Sequence, residues 1–289
     1  MYAALFVVLW STGFIAAKYG LPYAPPLTFL AIRFALVAAL MAVVCLAFRV
    51  RWPARRADYV NVAIAAWLVH GVYLGGVFVA LSRGMQAGTA AMLVGLQPIV
   101  TVFLARAWLR ERVVARQWLG LVLGLAGVWL VVRHKVSIDA DVGSLVAVFA
   151  ALAAISVGTL WQKRHAGHVD LRAGAVIQFG ACTIAYVPLV LLFESAGEVR
   201  WTPEFSFALG WSVLVLSVGA ISLLYRLLRH GEAAGVARLF YLVPPVTAAM
   251  AWLLFGERLD AMAIVGMVVI VVAVALARPA PQRPDVATT

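Results

Sequence analysis

The chain has 289 residues, of which 65% are hydrophobic and 12% charged, and its mean hydropathy is +1.00. Soluble domains carry roughly 45–50% apolar and about 25% charged residues, so a soluble globular fold is excluded, as is disorder, which needs low hydrophobicity. The net charge of +11 would suggest nucleic acid in a soluble chain, but here it matches the basic cytoplasmic loops of membrane proteins.

A helix that crosses the hydrocarbon core needs about 20 mostly apolar residues. In chain order the apolar runs predict ten such spans: 3–19, 27–48, 59–81, 88–108, 118–133, 144–162, 173–193, 206–227, 234–255 and 261–277. Span one carries Trp10 and Ser11 at its centre. Span two follows Pro25-Pro26 and holds Arg33. Span three has His70 at its midpoint and Tyr73 three residues on, on the same helical face. Span four has Gln97 before Pro98 at its centre, and span six ends in Trp161. Span eight carries Ser222 and Tyr225 one turn apart near its inner end. Span nine holds Arg238 and Tyr241 ahead of Pro244-Pro245. The polar tail, 279–289, reads as disordered and cytoplasmic. Cys45 and Cys182 lie inside apolar runs without metal-ligand spacing, so they read as buried structural thiols and no metal is expected.

Charge sets the orientation. With the N-terminus inside, the cytoplasmic loops and tail hold 15 Lys/Arg and the external loops 6. That bias predicts both termini in the cytoplasm.

The sequence also repeats. At a shift of 146 residues Pro98 falls on Pro244, Thr101 on Thr247, Glu111-Arg112 on Glu257-Arg258, and Gly120 on Gly266. At a shift of 145, Ser11, Gly13 and Lys18 fall on Ser156, Gly158 and Lys163. The first five spans thus match the last five. Five is odd, so the second copy enters the membrane with opposite polarity. Two inverted five-helix halves follow, 1–136 and 137–278, an arrangement suited to alternating access.

Trp10-Ser11-Thr12-Gly13, Pro25-Pro26 with Arg33, and the twin stretches Pro98–Gly120 and Pro244–Gly266 resemble the EamA-type branch of the drug/metabolite transporter superfamily. The resemblance covers nearly the whole chain. It implies a ten-helix inverted-repeat carrier in a prokaryotic inner membrane, in a family whose members often export amino acids or other small metabolites.

The residues limit the chemistry independently. There is no GxxxxGK[ST] segment to cradle a nucleotide, and no HExxH or GxSxG motif. All twelve acids lie in loops, tails or span ends, which argues against a dedicated cation extruder, because a desolvated cation needs a counter-charge. His70 is the titratable group at mid-membrane: either it meets substrate or protons, or it is a neutral imidazole bonded between helices. Trp10 either packs or lines a cavity. Pro98, Pro244 and Pro245 should kink their helices, and matching kinks in two halves point to a central site or merely shape packing. Arg33 and Arg238 either snorkel or attract a substrate carboxylate. Ser222 and Tyr225 either gate or bond the backbone. The two Glu-Arg pairs read as helix-end caps or loop ion pairs, and Gly71/Gly75 and Gly120/Gly124 as packing contacts.

The combined reading is a secondary transporter without cofactor and without enzymatic activity. Its partners are a small-molecule substrate and the bilayer. The expected cavity lies among spans one, three, four, six, eight and nine, lined by Trp10, Ser11, His70, Tyr73, Gln97 and Tyr241, with Arg33, Arg238, Ser222 and Tyr225 as gate or carboxylate contacts. Neutral amino acids, aromatic ones among them, fit this set. The alternative is a broad exporter of drugs or toxic compounds on the same fold. A membrane enzyme or a sensory subunit are the readings from other classes.

Overall fold

The computed structural model describes residues 2–109, 114–135, 141–194, 198–220, 223, 239–257 and 261–276, apart from the side chains of 105, 109, 131–135, 241 and 263. Among the described residues the structure is all-helical and forms ten rods. They are α1 (Tyr2–Gly20), α2 (Pro26–Ala47), α3 (Arg56–Ala66) continuing into α4 (Tyr73–Ser82), α5 (Ala87–Val94) followed by α6 (Gln97–Leu109), α7 (Ala115–Lys135), α8 (Val142–His165), α9 (Leu171–Phe193), α10 (Pro203–Gly210) with its extension, α11 (Val243–Phe255) and α12 (Ala261–Leu276). Seven are long and apolar enough to cross a membrane, and three shorter apolar helices complete the set. Helices are the natural answer to such a composition, because every backbone polar group in lipid must be satisfied within its own segment.

Two rods contain a π-helical stretch. Trp67–Val72 joins α3 to α4, and Trp211–Ala220 extends α10. Shifted by 145 residues, the first stretch falls on 212–217, inside the second. The prolines that should kink spans four and nine sit differently from the expected mid-helix position. The chain breaks at Gly95-Leu96, and Pro98 lies in the first turn of α6; likewise the 3-10 turn Phe240–Leu242 precedes Pro244 and Pro245 in the first turn of α11. A proline in a first turn removes no helical hydrogen bond, since that N–H would be unpaired anyway. The two breaks meet: a side chain at Gly95 would come within 2.9 Å of Pro244 Cγ.

The closest packings pair α7 with α12, α2 with α9, α4 with α8, and α5 with α11. Helix α1 crosses α11 and the π-helical extension of α10. Glycine permits several of these approaches. A Cβ at Gly158 of α8 would lie 2.7 Å from Val69 Cγ2, and one at Gly127 of α7 would lie 2.7 Å from Ile270 Cγ1 of α12.

Helix ends are tied across the fold. Asp170 caps α9 by accepting from Arg172 N at 2.8 Å. Glu194, after α9, accepts from Leu27 N at 2.9 Å and Thr28 N at 2.7 Å at the start of α2. Gly256 ends α11 at φ 66, a left-handed conformation that glycine adopts without a Cβ penalty. That turn aims Glu257 at the start of α5, where it accepts from Ala87 N at 2.9 Å and pairs with Lys18 Nζ of α1. The carboxylate there is also favoured by the positive end of the helix dipole.

Candidate substrate cavity

The π-helical stretches shape the centre of the bundle. A π turn widens a helix and takes carbonyls out of the regular ladder. Helix α9 meets carbonyls in and just before the first stretch: Tyr186 Oη donates to Gly71 O at 2.7 Å, and Cys182 Sγ lies 3.4 Å from Ala66 O at the end of α3. Both stretches then face a cavity of about 130 Å³ between α1, α2, α4, α8 and α9. An apolar cavity of about 150 Å³ accommodates benzene, so this space suits a body the size of one ring.

The wall is mostly apolar, with Phe14, Val77, Phe78, Ile155 and Leu216 around it. Two polar clusters interrupt it. In one, Arg33 is 7% exposed and its Nη2 donates to Ser217 Oγ at 3.2 Å; its buried Nε has no partner among the described residues. Ser217 Oγ donates in turn to Ser212 O at 3.0 Å, which leaves its lone pairs for the guanidinium. In the other, His70 Nε2 lies 3.1 Å from Gln178 Oε1, and the imidazole stacks on Phe179 with ring centroids 4.6 Å apart. With the amide so oriented, Nε2 carries the hydrogen. Tyr73 lies on the wall near Arg33, and Trp10 packs against Phe6 and edge-on against Phe240.

Phe78 of the wall belongs to a packed cluster of three phenylalanines. Phe29 lies 5.2 Å from Phe78 and 5.4 Å from Phe205, ring centroid to ring centroid, and all three are fully buried. Gly20, two residues after Lys18 in α1, packs against Phe29, so the Lys18–Glu257–Ala87 junction lies beside this cluster.

Of the residues expected at the site, Trp10, Arg33, His70 and Tyr73 line the cavity together. Ser11 is placed elsewhere: its Oγ donates to Val7 O at 2.8 Å and lies 3.3 Å from Val243 O, joining α1 to α11. Gln97 is half-buried at the start of α6 and is not on the described cavity wall. The Tyr241 backbone lies in the turn before α11, and its side chain lies outside the described residues, as do Ser222, Tyr225 and Arg238. Among the described lining residues, spans two and seven contribute in place of spans four and nine. Gln178, Phe179 and Ser217 were not anticipated. The repeat held a signal for the first two, because at the 145-residue shift Arg33-Phe34 falls on Gln178-Phe179.

The EamA-like transporter family model matches residues 1–133 and 142–278. The uncharacterized transporter YvbV of Bacillus subtilis (strain 168) is 25% identical over 94% of this chain and 89% of its own length. A protein of Escherichia coli (strain K12) described as a probable amino-acid metabolite efflux pump is 27% identical over 93% of this chain and 90% of its own. The uncharacterized inner membrane transporter YedA of the same strain is 24% identical over 96% and 90%. A solved crystal structure superposes with a TM-score of 0.66 at 19% identity, covering 96% of this chain and 94% of that one, which shows a shared fold.

Proposed function

The chain belongs to the EamA-like transporter family, and from that premise we propose that it exports small organic metabolites, amino acids foremost, by alternating access across a prokaryotic inner membrane. The observation that carries this reading is the central cavity, walled by α1, α2 and α4 on one side and by α8, α9 and the extension of α10 on the other. These are the corresponding rods of the two proposed halves, 1–136 and 137–278. Three features support an inverted pair: family matches over two separate stretches, π-helical segments at a 145-residue offset, and the pairing of α2 with α9, α5 with α11 and α7 with α12. With both termini cytoplasmic, as the loop charges favour, the phenylalanine cluster and the Lys18–Glu257 junction lie on the external side. On this reading the phenylalanine cluster closes the cavity outward, and export requires that end to open. The inner-membrane assignment agrees with the name of YedA, and the substrate class with the names of the efflux-pump relatives in Escherichia coli and Salmonella typhimurium.

Trp10, His70, Tyr73 and Arg33 are the proposed substrate contacts. His70 acts as a neutral hydrogen-bonding group through Gln178, or as the coupling group if transport follows a proton gradient. The largely aromatic and aliphatic wall favours one second reading, a broad exporter of apolar compounds on the same fold.

Counterflow in proteoliposomes tests the proposal. Vesicles loaded with single unlabelled amino acids should accumulate labelled substrate for a narrow set of loads. A gradient dependence lost in His70→Ala would assign proton coupling to His70, and a wild-type rate and pH profile would remove it from the site. No entry for any amino acid, in vesicles that contain folded protein, would overturn the amino-acid reading in favour of the second.

A further inference from the structure

Arg33 is the unusual group in this cavity. It is a guanidinium with five donors, more than nine-tenths buried, with one described acceptor at Ser217 Oγ and a buried Nε facing none. Burying a charge without a counter-charge is costly. Five of the described acids are engaged elsewhere, Glu257 with Lys18, Glu194 with the start of α2, Asp141 with Arg83, Asp58 with His168 and Asp170 with Arg172, and the other two, Glu198 and Glu204, are not on the described cavity wall. No carboxylate is among the described residues that line the cavity. Among the described residues the guanidinium has no counter-anion, and a substrate carboxylate would match its planar fork in a bidentate fashion.

The same wall is poor in partners for a cation. His70 and Gln178 bond each other, one face of Phe179 is covered by the His70 ring, Trp10 is packed against Phe6 and Phe240, and Tyr73 offers only a neutral hydroxyl. An ammonium placed here would lose its hydration, stand near Arg33 and find no anion on the described wall. The rest of the space is apolar and ring-sized.

Accordingly, we infer that this cavity recognises its substrate by the carboxylate, held by Arg33 and Ser217, and that the α-ammonium of an amino acid contributes nothing to binding. The substrate class therefore extends to small aryl and branched-alkyl carboxylates without an amino group. This deepens the carrier reading and rests on it.

The test uses three ligands of one skeleton: 3-phenylpropionate, L-phenylalanine (the same acid with its ammonium) and 3-phenylpropionamide (the same body without charge). Their affinities are measured by calorimetry on the full chain in nanodiscs. The acid should bind at least as tightly as phenylalanine and more than tenfold more tightly than the amide. Arg33→Gln should bring acid and amide within threefold of each other, and Ser217→Ala should weaken the acid by several fold while leaving the amide unchanged. If Arg33→Gln does not fold, the wild-type panel and Ser217→Ala decide. Phenylalanine binding tenfold more tightly than the acid, or acid and amide binding alike in the wild type, would overturn the inference. Amino-acid counterflow with no binding of phenylpropionate would overturn it too and leave the carrier reading standing.

Discussion

Glu257 should hold its end of the bundle more firmly than Lys18 does, although the two are partners. The Glu257 side chain is 5% exposed and that of Lys18 29%. Glu257 Oε1 accepts from both Lys18 Nζ and Ala87 N, and Oε2 lies 3.4 Å from Gly88 N. Substituting Glu257→Gln leaves one acceptor for Ala87 N, turns an amide NH₂ toward other donors and removes the counter-charge of Lys18. Loss of a helix N-cap costs about 0.5–2 kcal/mol, and a charge-assisted hydrogen bond contributes about 1.5–3 kcal/mol. With one acceptor kept, a destabilisation of about 2–3 kcal/mol is expected, roughly 30- to 150-fold in the folding equilibrium. Lys18→Met leaves the carboxylate bonded to two backbone N–H groups and loses only a partly exposed ion pair, so about 1 kcal/mol is expected. The double variant should cost about as much as Glu257→Gln alone, because Lys18 then has no carboxylate to lose. Equilibrium unfolding in mixed micelles can be followed by dye labelling of Cys45 and Cys182, both buried. If Lys18→Met proves as harmful as Glu257→Gln, or if the single costs add in the double variant, the capping role assigned to Glu257 is wrong.

Three further outcomes follow from the same geometry. Tyr186→Phe removes the 2.7 Å donor to Gly71 O and leaves that carbonyl without it in the π-helical stretch; a loss of about 1–3 kcal/mol is expected in the same unfolding assay. Gly158→Ala forces a Cβ to within 2.7 Å of Leu68 Cβ and Val69 Cγ2, whereas Gly180→Ala meets nothing within 4 Å; the first should destabilise by about 1–3 kcal/mol and the second should be neutral or stabilise by up to about 1 kcal/mol. The Arg172 side chain beside Asp170 holds that carboxyl below the usual carboxylate range. A depressed carboxyl stabilises the fold above its unfolded pKa and loses that contribution as pH falls through the folded one. Asp170→Ala should therefore lower the melting temperature by a constant amount near neutral pH, and the gap to wild type should close below about pH 4.

What was legible in the sequence was depth, and what was not was azimuth. Each predicted span falls on an observed rod wherever residues are described, with ends shifted by a few positions, because the bilayer fixes length and charge fixes the ends. Trp10, His70, Tyr73 and Ser11 were all placed near mid-membrane, yet Ser11 turns toward α11 while its neighbour Trp10 faces the cavity. In a soluble helix a polar stripe would have told the two faces apart. In α1 and α2 nearly every side chain is apolar whichever way it points, since lipid and protein interior look alike to a hydrophobicity scale. The π-helical stretches were illegible for a related reason: WLVHGV and WSVLVLSVGA carry no proline and no charge to mark a change of winding.

The repeat is the one signal that reads azimuth, because it compares two copies in the same environment. Aligning Arg33-Phe34 with Gln178-Phe179 puts two polar side chains at matching sequence positions of α2 and α9, and the structure gives each a partner in the other proposed half: Ser217 for Arg33, His70 for Gln178. The partners themselves are not equivalent, since 145 residues beyond His70 stands Val215 and 145 before Ser217 stands Val72. The walls of the two proposed halves therefore differ in charge, one carrying Arg33 and the other Gln178 and Ser217. Inverted halves with identical walls would offer a symmetric substrate the same pocket twice. With Arg33 on one wall only, the proposed carboxylate substrate would have a single orientation, the same whichever end of the cavity opened.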